Sequence, residues 1–245
     1  MPLHFLVDDA AGLSPGRTVT LIGPEAHHAA TVRRVRVGER VTVGDGRGAW
    51  LTGEVEAVAP REVVVRVRER TDAPAPRPRV VLVQALAKGD RDELAVQAAT
   101  ELGVDEIVPW QAARSVSRWD AAKASKGRAR WATIVREAAK QAHRAWLPDV
   151  AELTTTAQLA RRAEASVVLI LEPTATEPLS ALRVGEGEER DIVLVVGPEG
   201  GIAPEELDVL TAAGARAVRL GDTVLRTSTA GPAALAVVSA ALGRW

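Results

Sequence analysis

The chain has 245 residues, of which 47% are hydrophobic and 26% charged, room for one large domain or for a small one followed by a medium one. It contains no Cys, and its four His are dispersed apart from the pair His27-His28, which excludes disulfides, Cys-ligated zinc and thiolate nucleophiles and leaves no metal site to expect. The net charge of −1 favours no partner, and with neither a signal-peptide pattern in Met1–Asp9 nor a run of roughly 18 apolar residues, a cytoplasmic protein without a membrane partner is expected.

Residues 1–72 read as a domain of short strands. Arg17–Leu21, Arg40–Val43, Ala49–Val55 and Glu62–Val67 alternate in polarity or run in β-branched residues, the pattern of a small barrel. Gly44-Asp45-Gly46-Arg47-Gly48 lies between two of them. No helix follows it, so a hairpin turn needing positive φ fits better than a phosphate loop. Between strands, Pro24–Arg36 reads as a short helix leading to a basic edge.

Thr71–Pro78 carries three prolines and no apolar period, which places the boundary there: domain one is 1–72, domain two is 73–245. Strands and helices then alternate. Val80–Leu86 is a continuous apolar run, and Asp92–Leu102 is a helix with Leu94, Ala98 and Leu102 on one face. Glu106–Trp110 is a short strand. Arg128–Trp146 is an amphipathic helix lined by Trp131, Ile134, Val135, Ala138 and Ala142, stopped by Pro148. Residues 112–146 hold nine Lys and Arg against two Asp and Glu. That window suits a polyanion, and Arg136, Lys140 and Arg144 form a stripe within it; a solvated helix face has the same composition.

Strands follow at Val167–Leu171, Ile192–Val196 and Ala217–Leu220, with helices at Pro204–Ala213 and Thr229–Leu242. The alternation implies an α/β domain with a parallel sheet covered on both faces. The last helix is apolar nearly all round, which calls for burial inside the domain or at a subunit interface.

Val195–Ile202 is a Gly-rich turn between a buried strand and a helix, at the edge where α/β sheets hold ligands. Its spacing is neither a dinucleotide fingerprint nor a Walker loop. Leu171-Glu172-Pro173 and Leu220–Ala230 meet it at the same edge. Thr227, Ser228 and Thr229 suit a helix start. Arg226 does not, because the macrodipole disfavours a cation there unless an anion is near. Read alone, these features support a ligand site or a capped turn.

Together they resemble the RsmE group of SPOUT methyltransferases. The resemblance rests on Gly197-Pro198-Glu199-Gly200-Gly201, on Leu220-Gly221 with Val224-Leu225-Arg226-Thr227 and Thr229-Ala230, and on three earlier segments. These are Lys88 through Glu101-Leu102-Gly103-Val104; Arg130-Trp131 through Glu137-Ala138-Ala139-Lys140-Gln141 with Arg144 and Pro148; and His28 with Val32-Arg33-Arg34. Two positions depart from the group: Ser228, where Glu is usual, and His4, where Arg is common. The resemblance implies a PUA-like β-barrel RNA-binding domain, a methyltransferase domain whose C-terminus threads a trefoil knot, and a homodimer.

It also implies a bent S-adenosylmethionine held by Leu171, Glu172, Pro173, Val196, Gly197, Pro198, Glu199, Gly200, Gly201, Ile202, Leu220, Gly221, Val224, Leu225, Thr227, Ser228 and Thr229. The reaction it implies is methylation of N3 of a uridine in small-subunit (16S) ribosomal RNA. Arg226 would stabilise the uridine anion. Glu199 is the candidate base or, equally, a structural acceptor. Without Cys, a thiolate-dependent C5 methylation is excluded. RNA, free or in the assembled small subunit, would be gripped by His28, Arg33 and Arg34 and, on phosphates, by Arg114, Arg118, Arg136, Lys140 and Arg144. The competing readings are a SPOUT enzyme acting on another base or a ribose 2′-hydroxyl, and a non-catalytic ribosome-assembly protein that binds RNA.

Overall fold

The computed structural model describes residues 2–185 and 187–245. The chain divides into two compact units, Met1–Ala75 with Ala139–Leu147, and Pro76–Ala138 with Pro148–Trp245.

The first unit is a five-stranded sheet built from β1 (Leu3–Leu6), β2 (Thr18–Ile22), β3 (Arg40–Gly44), β4 (Ala49–Ala59) and β5 (Glu62–Asp72), in the order β1-β3-β4-β5-β2. β1 pairs with β3 in parallel and the remaining pairs are antiparallel. Burial alternates along β2 and through the first halves of β4 and β5, as a half-buried strand requires. One face gathers Phe5, Leu21, Val41, Val43, Leu51, Val55, Val63 and Val65 into a core. Register shifts at Thr52/Gly53 and Val55/Ala57 interrupt the long β4–β5 hairpin. At Gly53 a Cβ would lie 2.6 Å from the Arg66 carbonyl oxygen, so only glycine fits. β1 has no counterpart among the strands expected from the sequence. In place of the single helix expected over Pro24–Arg36, the structure has α1 (Gly23–His27) continued by a π-turn over His28–Val32.

Residues 139–147 join this unit through the Gly44–Gly48 turn, although they lie beyond the Pro-rich segment. Gly48 N–H donates to Ala145 O, Leu147 N–H donates to Gly46 O, and Trp146 Nε1 donates to Ala73 O at 2.9 Å. The turn's backbone is the docking edge for a distant part of the chain, a pairing that no local pattern encodes.

The second unit contains β6 (Val80–Ala85), α2 (Arg91–Glu101), β7 (Glu106–Trp110), β8 (Asp149–Val150), α4 (Thr156–Arg162), β9 (Val167–Leu171), β10 (Ile192–Val196), α5 (Pro204–Ala212), β11 (Arg216–Val218) and α6 (Thr227–Ala241). α3 (Ala121–Gln141) starts in this unit and ends in the first. The six strands are all parallel, in the order β11-β9-β10-β6-β7-β8. Their side chains divide by parity. Val80, Leu82, Ile192 and Leu194 meet Val96, Trp131, Leu235 and Val238 in one core. Val81, Val83, Val193 and Val195 meet Leu159 and Leu210 in the other. A strand buried on both faces reads as the unbroken apolar run seen in the sequence.

Three helices differ from expectation. α2 buries Ala95, Val96, Ala99 and Thr100, while Leu94 is 50% exposed; of the expected Leu94-Ala98-Leu102 stripe, Leu102 packs against the core and Leu94 does not. α3 begins at Ala121 and ends at Gln141, five residues before Trp146. The left-handed φ of 55° at His143 turns the chain away from the helical path before Pro148. α6 leaves Ala233, Ala236 and Val237 half-buried and Ala240 and Ala241 exposed, so of the two expected settings burial inside the domain covers only part of it. β8 and α4 were absent from the sequence reading; α4 starts at a capping box between Thr155 and Gln158.

Candidate functional site

A cavity of about 690 Å³ opens at the carboxyl ends of β9, β10 and β11, the edge that open parallel sheets use for ligands. Three loops wall it: Leu171–Thr174 after β9, Val196–Ile202 after β10, and Leu220–Thr227 leading into α6, with Asp222 alone in that last stretch not on the wall. Of the residues expected to hold a cofactor, Leu171, Glu172, Pro173, Val196 through Ile202, Leu220, Gly221, Val224, Leu225 and Thr227 line it. Ser228 and Thr229 are not on the wall; Ser228 is half-buried and Thr229 exposed on the first turn of α6. Arg91, Arg114, Thr174, Thr223, Arg226 and Ala230 complete the lining.

The glycine-rich loop is closely fitted. A Cβ on Gly197 would fall 2.7 Å from Ile202 Cγ1, and Gly201 has a left-handed φ of 71°. Thr227 Oγ1 donates to the Gly197 carbonyl at 3.0 Å, joining this loop to the start of α6. On the β9 side, the Glu172 carboxylate accepts from the N–H and hydroxyl of Thr174, which folds the loop back on itself.

Glu199 is tied down. Its Oε1 accepts from Lys88 N–H at 2.9 Å and from Arg91 Nη1 at 2.8 Å. Partial burial pushes this carboxyl up, but the N–H groups of Glu199 and Lys88, then the Arg91 guanidinium, outweigh it and hold the pKa below the usual carboxylate range. An ion-paired carboxylate of lowered pKa is a weaker proton acceptor than a free one.

Arg226 contrasts with it. It is the N-cap residue of α6, extended (φ −66°, ψ 151°) and without a side-chain cap bond. It is exposed on the cavity wall; its carbonyl accepts from the N–H groups of Thr229 and Ala230, while its guanidinium has no hydrogen-bond or ion-pair partner among the described residues. A guanidinium so placed raises the positive potential already present at a helix N-terminus and makes the spot receptive to an anion.

The expected RNA-contacting residues fall into different settings. Arg33 and Arg34 are exposed just after the π-turn, Arg34 with φ 53°. Arg118 is exposed and donates to Ala113 O. Arg114 belongs to the cavity wall, its Nη1 donating to Gly200 O at 3.1 Å. His28 is half-buried edge-on to Phe5, and Arg136 and Arg144 are half-buried. Lys140 requires a correction. It is 7% exposed and its Nζ lies 3.0 Å from Glu25 Oε1, a buried ion pair out of reach of a phosphate at the surface. The apparent basic stripe fails because α3 ends at Gln141 and because its middle member faces inward.

Two participants were not foreseen. Arg91 has no local signature; only the need of Glu199 for a partner points to it. Gln84, the one polar residue in the apolar run Val80–Ala85, is fully buried and donates to Thr227 Oγ1. Its signal was its misfit to the strand. Among the described residues no group of three or more His, Asp or Glu is placed to hold a metal ion. No described helix is long and apolar enough to cross a membrane.

A parallel sheet with a glycine-walled cavity at its carboxyl edge, in a chain that also carries a small β-unit, is the layout of a ligand-binding α/β protein with an accessory domain. Comparison with known proteins narrows the class. The family model of the RNA methyltransferase domain matches residues 74–239, and that of the RNA methyltransferase PUA domain matches residues 21–68. Ribosomal RNA small subunit methyltransferase E of Mycobacterium bovis is 46% identical over 235 residues, covering 94% of this chain and 89% of the relative. The protein of the same name from Bacillus subtilis is 33% identical over 246 residues, covering 98% and 96%. Among solved structures, a methyltransferase from Legionella pneumophila with bound SAM superposes with TM-score 0.85 at 29% identity, covering 98% of each chain. Ribosomal RNA small subunit methyltransferase E from Neisseria gonorrhoeae bound to S-adenosyl methionine gives 0.83 at 28%, again covering 98% of each. The chain belongs to the RNA methyltransferase family, within its ribosomal RNA small subunit methyltransferase E group.

Proposed function

We propose that this protein transfers the methyl group of S-adenosylmethionine to N3 of a uridine in small-subunit 16S ribosomal RNA. The observation that carries the reading is the unpartnered Arg226 on the wall of a cavity whose three loops are those expected to hold the cofactor. The cavity volume of about 690 Å³ lies inside the range of roughly 300–1,000 Å³ typical of small-molecule sites. Its wall offers backbone N–H and C=O groups around Gly197–Gly201 for an adenine edge, and Glu172 for hydroxyls or a cation.

S-adenosylmethionine, when bound, supplies an electrophilic methyl on a sulfonium. The protein's part is placement and charge. Uracil N3 carries a weakly acidic imide proton and attacks only after losing it; the N3–CH3 bond then forms as the S–CH3 bond breaks, leaving a thioether, with the proton released to solvent. Arg226 lowers the cost of deprotonation by stabilising the uridine anion. Glu199, held by Lys88 and Arg91, fixes the loop and takes no proton. The surrounding loops hold the reacting atoms in line and exclude water.

Residues 1–72 serve as the PUA-like RNA-binding domain and 73–245 as the methyltransferase domain, with residues 139–147 returning to the first unit. Arg33, Arg34 and Arg118 are the exposed cations best placed for phosphates, and the substrate is folded RNA or the assembled subunit rather than a short oligonucleotide. The exposed Leu94 of α2 and the small, partly uncovered face of α6 support a homodimer. The strand order β11-β9-β10-β6 supports a trefoil-knotted C-terminus, and the protein works in the cytoplasm without a metal.

Mass spectrometry of ribosomal RNA nucleosides from a deletion strain tests the reaction: 3-methyluridine should disappear from the small subunit and return with the wild-type gene. Unchanged 3-methyluridine would overturn the proposal. Absence of S-adenosylmethionine binding at millimolar concentration would point to the ribosome-assembly reading.

A further inference from the structure

One buried amide sits behind the cavity wall and touches no part of the cavity itself. Gln84 is 0% exposed near the end of β6, in register with Val196 of β10. Its Nε2 donates to Thr227 Oγ1 at 2.8 Å and to the Ala85 carbonyl at 3.1 Å. The Thr227 hydroxyl, having accepted that bond, donates to the Gly197 carbonyl at 3.0 Å. The amide orientation is fixed by chemistry: turned over, Gln84 Oε1 would face the Ala85 oxygen, and Thr227 would have to give its proton to Gln84 instead of Gly197. The relay therefore runs one way, from amide to hydroxyl to carbonyl.

Its last two members, Thr227 and Gly197, belong to different walls of the cavity. The cost is visible too, because Gln84 Oε1 is buried with no hydrogen-bond partner among the described residues. A Met or Leu at this position would fill an apolar strand without that penalty. An amide kept there against local preference is explained by what it does to Thr227.

We propose that Gln84 is a positioning residue for the cofactor: by orienting the Thr227 hydroxyl onto Gly197 it holds the glycine-rich loop and the α6 segment at the separation S-adenosylmethionine requires. The proposal rests on the reading of the cavity as the cofactor site.

Calorimetric titration of the full-length protein with S-adenosylmethionine tests it. Gln84→Met and Thr227→Val should each weaken binding about tenfold. The double variant should bind no more weakly than the weaker single one, because both remove the same relay. Thr227→Ser, which keeps the hydroxyl, should bind more tightly than Thr227→Val. Val83→Ala, on the opposite face of β6, supplies the control: its thermal midpoint should fall while its affinity stays with the wild type. Wild-type affinity in Gln84→Met, or losses that multiply in the double variant, would overturn the proposal. If Gln84→Met does not fold, the Ser and Val pair at Thr227 decides, and equal affinities reject the relay. Failure of the wild type to bind at all removes the function reading instead, so the two failures are distinct.

Discussion

The two units differ in where they leave a cation without a counter-charge. In the first, buried polar side chains close on one another: Lys140 meets Glu25, whose other carboxylate oxygen accepts from Leu6 N–H, and His4 bonds Thr42 while stacking on Trp50 with ring centroids 4.3 Å apart. The second has such closed pairs too, Arg162 with Glu106 and Arg244 with Asp105, but at the carboxyl ends of β9, β10 and β11 it sets Arg226 on a cavity wall, exposed and without a side-chain partner among the described residues. Side chains of the same charge are thus paired in one place and left open in the other. What separates them is whether the fold supplies a counter-charge, which a charge count along the chain does not register.

Breaking the closed arrangement should have the largest effect. Lys140→Ala takes the ammonium away from the buried Glu25 carboxylate and should cost about 3–5 kcal/mol in urea unfolding of the whole chain, while the salt dependence of RNA binding stays that of the wild type. A cost below about 1 kcal/mol would move Lys140 to the solvent-facing side of the comparison. On the open side, Arg226→Gln should lower kcat about 100-fold with saturating small subunit, yet leave the calorimetric affinity for S-adenosylmethionine near the wild-type value. Loss of cofactor affinity with kcat intact would make Arg226 a binding residue and not a catalytic one.

The closed side also predicts a pH response. Burial, then the neighbouring charges of His143 and Lys140, lower the His4 pKa to about 4 from its ordinary 6.5. The unfolded chain therefore takes up the proton first as pH falls. His4's contribution is fully present above pH 6.5 and is lost toward pH 4, amounting to about 2 kcal/mol between pH 6.5 and 4.5. Urea unfolding at those two pH values should show a smaller difference in His4→Gln than in the wild type. An equal difference in both proteins would place the acid sensitivity elsewhere.

Much of this architecture was legible in the sequence because it depends on local pattern. β7, β9 and β10 declared themselves as short apolar runs, and the glycine-rich loop declared itself by following one of them. What escaped depends on partners far along the chain. Arg91 matters only because Glu199 folds onto it, and residues 139–147 join the first unit only because a distant hairpin turn leaves backbone groups to pair. Lys140 misled for the same reason: its i, i+4 spacing is visible, whereas Glu25, 115 residues away, is not. α2 was misread because its two ways of facing the core differ by one residue, and the larger Leu94 outweighed the small Ala95, Val96 and Ala99 that pack beneath α6.

The smallest effect belongs to a residue on neither side of the comparison. Arg34 is exposed and holds a left-handed backbone, φ 53°, a conformation that costs an ordinary L-residue about 1–2 kcal/mol. Glycine adopts it freely but loses more entropy on folding, about 0.5–1 kcal/mol. Arg34→Gly should therefore change stability by less than about 1 kcal/mol, with the two terms opposing. If the guanidinium contacts a phosphate, the same change should weaken binding to the small subunit several-fold at moderate salt. It should also flatten the slope of log K against log salt by about 0.7–0.9, the value of one lost contact. Arg34→Gln keeps the side-chain bulk and removes the charge, so it should flatten the slope equally while leaving the backbone cost in place. A slope unchanged in both variants would show that the charge lies outside the RNA interface and that the position matters for the turn alone.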